Sequence, residues 1–95
     1  MAILSRLSVG PATHDQFNRL DDLVGEAMMK AGGPPPGLMS HVVYPEGDGF
    51  VVAGVWRAEA EAKGYIEDAL LPLLAQVGLA ARETTMLPVW SFARP

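Results

Sequence analysis

With 95 residues, 49% hydrophobic and only 19% charged, the chain suffices for one domain but is short of polar side chains to coat it. It has no cysteine and two histidines, His14 and His41, which excludes disulfides, thiolate metal sites and a histidine cage. A net charge of −4 repels phosphate backbones and anionic lipid, so neither nucleic acid nor membrane is an expected partner, and no metal or cofactor is expected. A domain this small buries only roughly 60–65% of its unfolded surface, which leaves tight packing or a partner chain to stabilise it. The first residues, MAILSR, lack the pattern of a secretory leader, and no run reaches the ~18–20 apolar residues of a membrane span, so a cytoplasmic protein is expected.

Residues 2–9 (AILSRLSV) alternate, with Ile3, Leu7 and Val9 on one face and Leu4, Arg6 and Ser8 on the other, which predicts a strand. Gly10-Pro11 ends it. Thr13 followed by Gln16 reads as a capping box, Asp15 suits a first helical turn, and Phe17, Leu20, Val24, Ala27, Met28 and Ala31 recur at helical spacing. The Gly32–Gly37 segment (GGPPPG) stops that helix and predicts a stiff connector. Residues 38–44 and 50–57 are β-rich runs flanking Pro45-Glu46-Gly47-Asp48-Gly49, a hairpin signal. A second helix is predicted from about Ala58 to Val77, with Ala62, Tyr65, Ile66, Ala69, Leu70, Leu73 and Val77 as its apolar stripe. Pro72 must kink it or begin a separate short helix. A last strand is predicted over 84–92 (TTMLPVWSF), where Pro88 demands an edge or a bulge.

The order β-α-β-β-α-β predicts one α+β domain over residues 1–95, ferredoxin-like, with two helices on one face of a four-stranded antiparallel sheet. In the third strand Phe50, Val52 and Trp56 share a face, while Val51, Ala53 and Val55 share the other. A sheet covered by helices on one side only should be polar on its second face. This one is apolar on both, so a homodimer joined sheet to sheet is expected.

The stretch PPPGLMSHVVYPEGDGFVVAGVWRAEAEAKGYIEDALLPLLAQVGL and the tail MLPVWSF resemble small members of the dimeric α/β barrel superfamily, close to the antibiotic biosynthesis monooxygenase group. The resemblance covers nearly the whole chain, and its most telling piece is a strand ending in Val55-Trp56 directly before an acidic, alanine-rich helix start. It implies a face-to-face homodimer, a pocket between sheet and helices in each protomer, and chemistry without a cofactor on anthrone-type polyketides. Haem-degrading and isomerase branches are also implied. By this resemblance Trp56 lines the pocket. The oxygenases carry an asparagine four residues earlier, where this chain has Val52, and the haem-degrading branch uses a histidine on the second helix, where residues 58–77 have none.

The candidate residues each have a plainer reading. Trp56, with a flat ring and one donor, suits a planar aromatic ligand and equally a core. Val52, Phe50, Met39 and Trp90 are candidate lining; for Trp90 and Phe92 the alternative is burial at a dimer interface. His41 is the candidate general base, against a histidine bonded to backbone at the interface. Pairing of Tyr44 with Phe50 would place His41 opposite Trp56, and a shift of one residue would reverse this. Arg6, mid-strand, needs a carboxylate, a carbonyl or a ligand oxygen; a salt bridge on the second face competes with a catalytic role. Tyr65 aims its hydroxyl at the pocket or fills core, and His14 faces solvent. An RNA-recognition module shares the β-α-β-β-α-β order, yet the first strand has no stacking aromatic and the net charge has the wrong sign. Two functions remain: a cofactor-independent monooxygenase-like or isomerase-like protein acting on a hydrophobic aromatic molecule, and a non-catalytic homodimer that binds such a molecule.

Overall fold

The computed structural model describes residues 1–92. Strand β1 (Ala2–Val9) is followed by helix α1 (His14–Ala31), the hairpin β2 (Leu38–Glu46) and β3 (Gly49–Trp56), helix α2 (Glu59–Tyr65), a π-helical turn (Ile66–Leu70), helix α3 (Leu71–Gln76) and β4 (Ala81–Val89). The strands form one antiparallel sheet in the order β2-β3-β1-β4. This is the α+β, ferredoxin-like architecture expected from the element order.

Local chemistry explains each boundary. Thr13 Oγ1 accepts from the Gln16 backbone N–H at 3.1 Å, and Gln16 Oε1 accepts from the Thr13 N–H at 3.0 Å, so the capping box is complete. Gly32, at φ 86°, closes α1 in the left-handed conformation that only glycine takes at no cost. The Gln16 amide donates to the Val77 carbonyl at 3.1 Å, which ties the start of α1 to the end of α3. Pro72 has no N–H and crowds the carbonyl four residues back; the chain answers by widening the preceding turn, where the Leu71 N–H donates to the Ile66 carbonyl. The predicted second helix is thus two α-helical pieces around one π turn.

Leu7 and Val9 of β1, Phe50 and Val52 of β3, Leu20 of α1, Ile66 and Leu70 of the π turn and Leu74 of α3 form the core between sheet and helices. Their burial is the main stabilising contribution, roughly 1.5–3 kcal/mol for each large side chain.

Three expectations are corrected. The hairpin turn is only Gly47-Asp48, with Gly47 at φ 59° and Glu46 paired to Gly49, so Pro45, Glu46 and Gly49 belong to strands. The last strand spans Ala81–Val89 rather than 84–92, because its partner β1 runs out where Ala2 pairs with Val89; Trp90 and Phe92 lie past that pair. Pro88 does sit on an edge strand, since β4 pairs only with β1.

The third correction concerns the second face of the sheet. Arg6 Nε donates to the Tyr44 hydroxyl at 3.0 Å and Arg6 Nη2 to Glu46 at 3.2 Å, reaching from β1 to β2 across β3. Val51 and Ala53 lie beneath that bridge at 0% and 4% exposure, covered by their own chain. What stays open there is Val42 of β2 and Leu87 of β4, 54% and 43% exposed. The apolar surface left open on this face therefore lies at its flanks and not at the middle of the sheet.

Candidate active site

The register of the hairpin decides the composition of the site. Pro45, not Tyr44, pairs with Phe50, so His41 pairs with Gly54 and shares the helix-side face with Trp56. A bulge sits between Leu38 and Ser40, which lets Leu38 face the helices as well although it stands three residues from His41. The bulged residue is Met39. It is half-buried and lines none of the clefts described below.

A groove runs along this face between α1 and the edge strand β2. Its wide end, a cleft of about 390 Å³ at the hairpin, is lined by Phe17, Val43, Pro45, Phe50 and His14. Phe17 and Phe50 meet edge to face at 5.4 Å, and the His14 ring stacks on Phe17 at 6.2 Å, so His14 is solvent-facing and also part of the rim. Past Phe17 and Val43 the groove narrows to a crevice of about 20 Å³ that His41, Val52, Leu70 and Tyr65 share with α1. A last crevice of about 10 Å³ reaches Ser5, Gly54 and Trp56. Spaces of this size hold about one water each. Phe50, Val52, Trp56, His41 and Tyr65, separate in sequence, are thus brought to one groove. His41 is exposed at its rim.

Trp56 lies at the bottom, 2% exposed, its ring 5.6 Å from that of Tyr65 at 41°. Its indole N–H donates to Ser5 Oγ at 2.9 Å, and the Ser5 hydroxyl donates to the Gly54 carbonyl at 3.4 Å. Gly54 makes the arrangement possible: a Cβ there would stand 2.8 Å from Trp56 Nε1. Burial raises the Tyr65 phenol above its ordinary 10.0, which keeps it neutral and suits it to donate a hydrogen bond rather than take a proton. No hydrogen bond of the Tyr65 hydroxyl is found among the described residues.

Arg6 and Trp90 lie elsewhere. Arg6 is on the opposite face, engaged by Tyr44 and Glu46, the salt bridge weighed against a catalytic role. Trp90, 92% exposed, follows β4 beside Met1 and Phe92. Ser5 was not anticipated. Its place on the face of Ile3 and Leu7 was the available signal, since a polar residue among core positions needs a partner. Among the described residues no group of His, Asp or Glu is arranged to hold a metal ion, and no helix is long and apolar enough to cross a membrane.

No protein-family model and no curated protein matches the sequence. Solved structures do match in fold. A candidate antibiotic biosynthesis monooxygenase from Deinococcus radiodurans superposes with a TM-score of 0.61 at 12% identity, over 100% of this chain and 98% of that one. SnoaB, a cofactor-independent oxygenase from Streptomyces nogalater, gives 0.58 at 15% identity, over 96% and 93%. A protein of unknown function from Nitrosomonas europaea gives 0.57 at 20%, over 99% and 92%. At such identities the likeness is one of architecture: the chain has the fold of the antibiotic biosynthesis monooxygenase-like proteins.

Proposed function

We propose that the protein is a cofactor-independent monooxygenase-like or isomerase-like homodimer acting on a hydrophobic, aromatic or polyketide-type small molecule held in the groove between α1 and β2. One observation carries this reading: the hairpin register sets His41 on the same face as Trp56, Val52 and Tyr65. The likeness in fold to a cofactor-independent oxygenase supports it. A flat ligand rests against Phe17 and Phe50, whose apolar cleft falls in the ~300–1,000 Å³ range of ligand sites. His41 takes a proton from the carbon acid, and Tyr65 donates a hydrogen bond to the oxygen where charge develops. For an anthrone the oxidant is dioxygen: one oxygen atom becomes the new ring carbonyl, and the other leaves as water with both methylene hydrogens. In an isomerisation His41 returns the proton at a second carbon instead. Arg6, Trp90 and Met39 have no part in the groove.

The test is oxygen uptake with anthrone, comparing the native protein with His41→Gln, a substitution at an exposed position that spares the fold. Turnover that falls at least a hundredfold in the variant supports the assignment; turnover equal in both sinks His41 as the base. A second reading, a binder without chemistry, is favoured by the tightness of the Trp56 crevice and by the indole N–H being occupied by Ser5. Saturable binding of anthrone with no oxygen consumed selects it.

A further inference from the structure

A second cleft, of about 340 Å³, opens between the end of α1, the Pro34–Pro36 connector and the second helix, lined by Ala27, Met28, Ala31, Ala69 and Leu73. It has no charged side chain in its wall, and its alanines are what leave the room. Tyr65 belongs to this cleft and to both inner crevices of the groove. It is the partition between them. We infer that Tyr65 is a specificity-determining gate, and that the connector cleft is the far end of the ligand site, taking the uncharged, fused-ring end of a polycyclic ligand when the phenol swings aside. The inference rests on the groove being the ligand site.

Three features make the gate movable. The Tyr65 hydroxyl is not tied to another described residue, so no hydrogen bond between side chains must break. Gly64 precedes it with open space beside its Cα, and the π turn begins at the next residue, where the wider bonding pattern loosens the helix. Its aromatic neighbour is Trp56, whose ring meets it at a tilt and is itself held by Ser5, so the phenol moves while the indole stays. With the phenol in place the crevices beside it admit about a water each; with it displaced, groove and cleft become one elongated apolar site.

The probe is pyrene, uncharged and with four fused rings, followed by its fluorescence on titration with protein. Ala27→Trp fills the connector cleft from an exposed helix position and so leaves the fold intact; it is expected to weaken pyrene binding at least tenfold. Tyr65→Ala removes the partition and is expected to tighten binding about tenfold, whereas Tyr65→Phe keeps it and stays within about twofold of the native protein. Binding indifferent to Ala27→Trp, or equal in Tyr65→Ala and Tyr65→Phe, overturns the gate. Amide shifts on pyrene binding confined to Phe17, Val43 and His41 would do so while leaving the groove as the ligand site. No binding to any variant removes both.

Discussion

At the scale of single residues the site is built on Ser5 and Gly54 as much as on Trp56. An indole buried this deeply needs an acceptor for its N–H, and the oxygen that accepts belongs to a serine fifty-one positions earlier in sequence. Removing that oxygen leaves a buried donor unpaired, so Ser5→Ala is expected to cost about 1–3 kcal/mol. Urea unfolding measures it; a loss under about 0.5 kcal/mol would show that water or a shifted ring replaces the hydroxyl. The partnership was not legible in sequence, because it exists only through the β1–β3 register, which sets Ser5 opposite Gly54. The face of Trp56 was legible from the alternation Phe50, Val52, Trp56, whereas its candidacy as pocket lining came from its ring and from the resemblance. His41 was legible as a candidate but not its face, since a one-residue choice in the turn inverts a whole strand.

At the scale of elements, the capping box, the glycine stop of α1 and the break at Pro72 follow from local chemistry, and sequence showed all three. The ends of β4 did not follow, because Trp90 and Phe92 look like strand residues while strand length is set by β1. The docking of the second helix rests partly on Tyr65, and this gives an alkaline signature. Burial holds its phenol above the ordinary value, so the folded state resists ionisation more than the unfolded state does. Stability from this group is intact below the unfolded value of about 10 and is lost as pH rises from there through the folded value. Urea midpoints measured from about pH 8 to about pH 11 should fall more steeply in the native protein than in Tyr65→Phe. Identical slopes would mean that the phenol ionises without leaving its place against Trp56.

At the scale of the molecule, the proposed homodimer depends on the sheet face turned away from the helices. Its centre is closed by Arg6, Tyr44 and Glu46, so the apolar contribution must come from Val42 and Leu87, with Leu4 and Val55 between them half-buried. Replacing both open residues by glutamate, Val42→Glu with Leu87→Glu, is expected to shift sedimentation from two chains to one while the far-ultraviolet dichroism stays native. Unchanged sedimentation would place any contact elsewhere. The two outermost strands bear on how copies can meet. β2 is kinked where Met39 has no partner, and β4 carries Pro88, which offers no backbone hydrogen to a neighbour. Neither rim is a good template for a further strand. Growth of copies side by side into fibre-like ribbons is thereby disfavoured at both rims.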